Sequence, residues 1–194
     1  MVKKNSSSKL GWGILSTAWI AEYLVQPLKL AGRSKLIAIA SRTEATAHQF
    51  AVEHGVPKTY GSYESMLEDP DIDVVYIPLP NSLHCEWSLK AARAGKHVLC
   101  EKPLGIDAAE ALEMAAACRQ HGVQLMDGVM WVHHPRAAAM KKQLVAGAIG
   151  ELRRVTSAFT FRFDEIPDYD IRLDPDTAGG SLGDLGWYLS LIHI

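Results

Sequence analysis

The chain has 194 residues, of which 48% are hydrophobic and 22% are charged, and its formal net charge is −2. This composition is typical of a globular protein with one domain, or with one domain and part of another. A charge so close to zero gives no reason to expect nucleic acid or an anionic membrane as a partner. No apolar run approaches the roughly 18 consecutive residues that a membrane span needs.

The N-terminus and the cysteines indicate the compartment. Residues 1–9 are polar and basic and lack the apolar segment of a signal peptide, so we expect a disordered lead-in. The three cysteines are widely spaced and form neither a CxxC pair nor a Cys/His cluster, which argues against a metal site. An odd number of cysteines without an export signal predicts a cytoplasmic protein.

Short apolar runs alternate with helical segments along the first two thirds of the chain. The predicted order is strand 10–15, helix 18–30, strand 35–40, helix 43–54, short helix 62–68, strand 74–77, helix 83–94, strand 98–100, helix 107–122 and strand 123–126. Strand followed by helix, repeated, predicts an α/β fold. The specific expectation is a doubly wound parallel sheet of the Rossmann type, with helices on both faces.

The pattern changes after Pro135. One more helix is predicted at 137–145, and residues 152–163 then alternate apolar and polar side chains, which indicates a strand of an antiparallel sheet with one solvated face. We place the domain boundary near 133–150. The predicted organisation is a lead-in at 1–9, a Rossmann domain at 10–135, and the incomplete start of an α+β, mostly antiparallel domain at 136–194.

The turn after the first strand is where this fold holds a dinucleotide pyrophosphate. The usual G-x-G-x-x-G spacing falls on Ser16, Ala18 and Ala21, so each glycine is replaced by another small residue. Ser16, Thr17 and Ala18 are therefore candidate cofactor contacts. Taken alone the motif is weak, and a tight strand–helix turn packed with small residues explains it equally well.

The second strand ends at Ser41 and Arg42, about twenty residues beyond that turn, where NAD-dependent enzymes place an acidic residue for the ribose 2′-hydroxyl. No acid is present there, since Glu44 comes too late. A hydroxyl and a guanidinium suit a 2′-phosphate, so NADP is predicted as the cofactor and NAD is disfavoured. In the alternative interpretation Ser41 caps the next helix and Arg42 is a solvated first-turn residue.

Three further segments make the function specific. They are Pro-Leu-Pro-Asn-Ser-Leu-His at 78–84, Glu-Lys-Pro at 101–103 and Gly-Gly-Ser-Leu-Gly-Asp-Leu-Gly-Trp-Tyr at 179–188. In this order they resemble the Gfo/Idh/MocA oxidoreductase family, over about residues 10–188 and most closely its dihydrodiol and xylose dehydrogenase branch. The chain departs from that family in its glycine turn. The resemblance implies an NADP-dependent oxidoreductase acting on a sugar or cyclic diol hydroxyl.

By that resemblance the catalytic residues are Lys102, Tyr188 and Asp184. Tyr188 would be the acid/base, and a nearby Lys102 ammonium would lower its pKa from about 10. Asp184 lies four residues before Tyr188 on the same predicted helix face and would orient Lys102 or the substrate hydroxyl.

The family's loops imply further cofactor contacts near the nicotinamide. Glu101, together with Lys102, would hold that end of the cofactor, and Pro80, Asn81 and His84 would lie under the nicotinamide ribose. An alternative for His84 is an N-terminal helix residue bonded to water.

Relatives in this family continue well past the position of Tyr188 and often form homodimers, whereas residues 189–194 match the family poorly. We therefore expect a truncated reading frame that binds cofactor without turnover. Two other classes stay open. One is a non-catalytic NADP-binding sensor, which would not need the Lys102–Tyr188 pair. The other is a lyase or glycosidase with tightly bound NAD, which favours an acid after the second strand.

Overall fold

The computed structural model describes residues 9–160, 162 and 169–190. Within them, six parallel strands form one sheet in the order β3-β2-β1-β4-β5-β6. The strands are β1 (Leu10–Leu15), β2 (Ser34–Ala40), β3 (Lys58–Tyr60), β4 (Val74–Ile77), β5 (His97–Cys100) and β6 (Leu125–Asp127). The predicted doubly wound Rossmann fold is confirmed, because the chain leaves β1 toward one edge and then returns to build the other side from β4.

Seven α-helices accompany the sheet in the described residues. They are α1 (Trp19–Leu30), α2 (Glu44–His54), α3 (Tyr63–Leu67), α4 (His84–Arg93), α5 (Ala108–Gln120), α6 (Pro135–Val145) and α7 (Trp187–Ser190), the last preceded by a π-helical turn at Leu182–Gly186. Local chemistry sets their ends. Thr43 and Asp107 accept hydrogen bonds from the first turns of α2 and α5, and Gly55 ends α2 in the left-handed conformation with φ 63°. Among these helices, none has the length and apolar character needed to cross a membrane.

Each face of the sheet carries its own apolar core. One core contains Met66, Trp87 and Met114, and the other contains Val25 and Phe50. Because both faces are covered, the central strand β4 is buried at all four positions and reads as a continuous apolar run rather than an alternating one.

The two glycines inside β1 serve packing. A Cβ at Gly11 would lie 2.1 Å from the backbone oxygen of Asp71, and one at Gly13 would lie 2.9 Å from the sulfur of Met66. Any larger residue would push the strand away from its neighbours. Gly11 and Gly13 therefore serve the packing of β1 and are not part of the turn that follows it.

Two sequence predictions for the strands are wrong. The sheet contains β3, which the sequence analysis missed because three residues, Lys-Thr-Tyr, carry no apolar alternation. Conversely, residues 152–160 form no strand, although they alternate as a strand would. A strand needs a partner for its backbone groups, and no described segment pairs with this one, so Phe159 stays 45% exposed. Positions 161 and 163 of that prediction lie outside the described residues.

The second predicted domain is sparsely packed where the structure describes it. No described residue after Val129 is buried. The predicted lead-in over residues 1–8 and the segment 191–194 lie outside the described part, and the limits 10–135 and 136–194 stay a prediction.

Candidate cofactor and catalytic site

The predicted site segments meet at one edge of the sheet. The turns that begin at residues 16, 41, 78 and 101 follow β1, β2, β4 and β5 directly. Because these strands are parallel, their carboxyl ends lie side by side, and the order of the sheet reverses between β1 and β4. Ligands of doubly wound folds bind in the crevice at such a switch point.

The first turn keeps a glycine-like backbone without glycine. Ser16 has φ 144°, a conformation that L-residues rarely adopt, and its Oγ accepts a hydrogen bond of 3.0 Å from the Ala18 amide. No side chain among the described residues caps the start of α1. Small side chains at Ser16, Thr17 and Ala18 and an uncapped helix N-terminus together fit a pyrophosphate.

The end of β2 presents a basic side chain. Ser41 is buried, and its amide donates to the Tyr60 carbonyl at 3.0 Å, whereas Arg42 is exposed. The alternative in which Ser41 caps α2 is wrong, because the N-cap is Thr43, whose side chain accepts from the Thr46 amide. Arg42 therefore has no capping role and lies exposed just after the end of β2.

Tyr63 joins these two segments and was missed by the sequence analysis. Burial raises the pKa of Tyr63, while the positive charge of Arg42 and a hydrogen bond with Ser16 oppose that rise. Its ring packs edge-on against Trp87, with 4.9 Å between the ring centroids. The only signal in the sequence was its position just after β3, a strand that the pattern did not reveal.

Glu101 is fixed at the other end of the crevice. Its Oε1 accepts a 2.6 Å hydrogen bond from the hydroxyl of Tyr76 on β4, and its Oε2 accepts from the Lys102 amide at 3.2 Å. Burial raises the pKa of Tyr76, and the negative charge of Glu101 raises it further, so the hydroxyl stays a donor. A Cβ at Gly128 would lie 3.1 Å from the carboxyl carbon of Glu101, so the glycine leaves room for this side chain.

Lys102, Asp184 and Tyr188 lie together, although 82 residues separate the first two. The Lys102 Nζ donates to the Asp184 carboxylate at 2.7 Å and to its backbone oxygen at 2.9 Å, and lies 5.0 Å from the centroid of the Tyr188 ring. The Lys102 and Asp184 side chains are only 15% and 19% exposed. The ammonium therefore has one carboxylate as an ion-pair partner and lies beside the phenol ring.

The expected effect of Lys102 on Tyr188 is wrong. Burial raises the pKa of Tyr188, and the negative charges of Glu101 and Asp184 raise it further. The Lys102 ammonium, 5.0 Å from the ring centroid, does not reverse this rise. In this arrangement Tyr188 is a protonated phenol, which is suited to donating a proton.

The loop after β4 is held by contacts within the chain. The amide nitrogen of Asn81 donates to the Ala178 carbonyl at 2.9 Å, and Pro80 stands just before it, as the N-cap of the short 3-10 turn Asn81–Leu83. His84 is fully buried, and both of its ring nitrogens contact backbone carbonyls. The His84 ring therefore presents no atom to the crevice, in contrast to the expectation that it touches the cofactor. Within the described residues, no group of three or more His, Cys, Asp or Glu side chains could hold a metal ion.

The fold and the crevice define a Rossmann-type dinucleotide-binding domain. The family model described as "Oxidoreductase family, NAD-binding Rossmann fold" matches residues 10–129. The chain belongs to the Gfo/Idh/MocA oxidoreductase family.

Three similar proteins show which enzymes the chain resembles. D-xylose 1-dehydrogenase (NADP(+)) 2 of Haloferax volcanii is 48% identical over 180 residues, which cover 91% of the chain and 54% of that protein. Trans-1,2-dihydrobenzene-1,2-diol dehydrogenase of Mus musculus is 40% identical over 181 residues, covering 92% of the chain and 54% of that protein. A crystal structure of a 3-ketoreductase from Actinomadura kijaniata with NADP and TDP-benzene is 38% identical, with a TM-score of 0.88, and the match covers 93% of the chain and 55% of that structure. The chain thus spans about half the length of the curated relatives it matches.

Proposed function

We propose that the protein is an NADP-dependent oxidoreductase that transfers a hydride between nicotinamide and a carbon bearing a hydroxyl or keto group of a sugar or cyclic diol. The observation that carries the proposal is the contact of Lys102 with Asp184 and Tyr188 at the end of β5, beside Glu101. These groups supply a positive charge and a proton donor where the nicotinamide end of a dinucleotide lies in this fold. The names of the two dehydrogenases and the ketoreductase support the substrate class.

Each end of the crevice has its own part in binding. The turn at Ser16 and the N-terminus of α1 would hold the pyrophosphate, and Arg42 would pair with the 2′-phosphate. Glu101, fixed by Tyr76, would orient the nicotinamide end. When bound, the cofactor supplies or accepts the hydride.

The proton is handled by Tyr188. In the reducing direction the phenol donates its proton to the oxygen that becomes the alcohol, and Lys102 stabilises the negative charge developing on that oxygen. Asp184 holds the Lys102 ammonium in place through the 2.7 Å contact. A phenol whose pKa lies above its ordinary value of about 10 is protonated at neutral pH, as the proton donor of a carbonyl reduction must be.

The same pKa sets an expected pH dependence. Reduction needs the protonated phenol, so its rate should hold through neutral pH and fall only above the ordinary phenol value of about 10. Oxidation needs the phenolate, so its rate should still be rising at about pH 10. The rates of reduction and of oxidation are each measured as a function of pH. If reduction slows and oxidation speeds up already below about pH 8, this assignment of the proton donor is excluded.

The test separates binding from turnover. NADPH and NADH are titrated against the chain by nicotinamide fluorescence, and a panel of pentoses, hexoses, cyclic diols and the corresponding ketones is then followed by NADPH absorbance. Tighter binding of NADPH with turnover of a panel member supports the proposal in full. If a form of the protein as long as its relatives binds NADPH but turns over no member of the panel, a non-catalytic NADP-binding protein is favoured. Absence of NADPH binding would refute the proposal.

A further inference from the structure

A buried histidine connects the two loops that flank the nicotinamide end of the crevice. His84 is the first residue of α4 and is fully buried. Its Nδ1 lies 2.7 Å from the Pro103 carbonyl oxygen, and its Nε2 lies 2.8 Å from the Leu79 carbonyl oxygen. One ring therefore contacts two segments that are far apart in sequence.

Each contact ends next to a residue of the candidate site. Pro103 directly follows Lys102, whose Nζ binds Asp184. Leu79 stands two residues before Asn81, whose amide binds the carbonyl of Ala178. The imidazole thus lies between the backbone that carries the ammonium and the backbone that carries the amide.

Both partners of the ring are carbonyl oxygens, which accept hydrogen bonds and never donate them. A neutral imidazole has one N–H, so it satisfies one carbonyl and turns a lone pair toward the other, whereas an imidazolium donates to both. Burial lowers the pKa of His84, while the carbonyls of Pro103 and Leu79, and the charges of Glu101 and Glu110, oppose that change. An apolar side chain of the same size would remove the one hydrogen bond that a neutral ring donates, or both of those that a charged ring donates.

We propose that His84 is a positioning residue that sets the spacing between the Asn81 loop and Lys102, and with it the spacing between the cofactor and the ammonium. This inference rests on the function proposed above. In this role His84 acts through the backbone of the two loops and does not contact the cofactor itself. The role requires a polar atom within hydrogen-bond distance of each carbonyl, which distinguishes it from the filling of a cavity.

Two conservative variants separate the two contacts. In His84→Asn the amide nitrogen occupies about the place of Nδ1 and keeps a donor for Pro103, while in His84→Gln it occupies about the place of Nε2 and keeps a donor for Leu79. His84→Phe removes both donors. Ala91→Gly is the matched control, because it loosens the same helix from a buried position without touching either carbonyl.

Backbone hydrogen exchange of the cofactor-free chain reads the two loops separately. We expect the exchange rate of residues 101–105 relative to that of residues 79–83 to be at least tenfold higher in His84→Gln than in His84→Asn, because each variant keeps a donor for a different carbonyl. Equal patterns in the two variants, unchanged loops, or the same change in Ala91→Gly would overturn the inference. If His84→Phe does not fold, the comparison of His84→Asn with His84→Gln still tests the inference.

NADPH titration connects the loops to binding. We expect the dissociation constant for NADPH to rise about tenfold in His84→Phe, or in the weaker of the two amide variants, and to stay unchanged in Ala91→Gly. Wild-type chain that fails to bind NADPH would refute the proposed function itself. Wild-type binding that persists unchanged in every His84 variant would refute only the positioning role.

Discussion

Residues 10–129 and residues 130–190 are built in different ways. The first region contains all the buried residues of the described chain, on both faces of a six-stranded sheet. The second has none among its described residues, and Leu182 next to the catalytic segment is 81% exposed. Yet Asp184 and Tyr188 belong to this second region. The comparison teaches that the packed sheet positions the candidate cofactor-binding turns, whereas a few contacts, above all those of Lys102, position the candidate catalytic side chains.

Tyr188→Phe tests the second region and carries the largest expected effect. It removes the proposed proton donor while keeping the ring that lies beside Lys102, so kcat should fall about 100-fold or more. The dissociation constant for NADPH should not change, because all the proposed cofactor contacts lie in the first region. Steady-state kinetics and a direct titration measure both quantities. Tyr23→Phe, an exposed tyrosine on α1, is the control, and wild-type turnover in Tyr188→Phe would remove Tyr188 from the mechanism.

Arg42→Ala tests the first region at the adenosine end. Loss of a charge-assisted contact with a 2′-phosphate costs about 1.5–3 kcal/mol, so NADPH affinity should fall roughly 10- to 100-fold while NADH affinity is unchanged. Fluorescence titration with both nucleotides gives the ratio. Arg33→Ala is a matched control, because Arg33 is an exposed arginine just before the opposite end of β2. An unchanged ratio in Arg42→Ala would remove the basis for NADP preference.

Asp69→Asn tests how strongly the first region depends on a buried charge. The Asp69 side chain is 4% exposed and accepts hydrogen bonds from Lys58 Nζ at 2.8 Å, Tyr60 at 2.7 Å and the Asp71 amide at 2.8 Å. Burial alone would raise the pKa of Asp69, but these bonds lower it to about 2. The substitution should lower the free energy of unfolding by about 2 kcal/mol at neutral pH.

The sign of the pH dependence follows from the depressed pKa. The contribution of Asp69 is present above the unfolded value of 3.8 and is lost as pH falls toward 2, so wild type and Asp69→Asn should converge in acid. Urea unfolding at several pH values measures this. Asp71→Asn, whose carboxylate also contacts Lys58 but is 66% exposed, should cost less than about 1 kcal/mol. Parallel curves for wild type and Asp69→Asn down to pH 2 would contradict the assignment.

Lys90→Met tests a surface cluster of the first region and should have the smallest effect. The ammonium contacts Glu86 at 2.7 Å and Glu64 at 3.0 Å, and lies 3.9 Å from the centroid of the Trp87 ring. All three charged groups are substantially exposed, so the loss of unfolding free energy should be about 1 kcal/mol or less. Thermal unfolding in low and high salt measures it. A loss above about 2 kcal/mol would mean that surface charges matter as much here as the buried core.

Sequence predicted the strands that are continuous apolar runs and missed the one strand that is not. The four buried residues of β4 were found, whereas β3 was missed because its partly buried residues carry no periodic signal. The strand predicted over 152–163 failed for the opposite reason: alternation defines a face, but a strand also needs a partner along its edge.

The site was predicted in its members but not in its electrostatics. Lys102, Asp184 and Tyr188 came from the family resemblance, and the structure brings them together. Tyr76 was missed, because its bond to Glu101 joins residues that are 25 positions apart. The direction of the pKa change at Tyr188 could not be read from sequence either, since it depends on the burial of the ring and on the nearby charges of Glu101 and Asp184.

The positive φ of Ser16 shows that two demands on the proposed phosphate-binding turn are separable. One demand is a small side chain, which any short residue meets, and the other is an unusual backbone torsion, which the preceding strand can impose at a cost of about 1–3 kcal/mol. A scan for glycine letters therefore overlooks such chains, whereas a scan of torsion angles at strand ends retrieves them. Nucleotide-binding folds can accordingly be sought among sequences that have lost every glycine of the fingerprint.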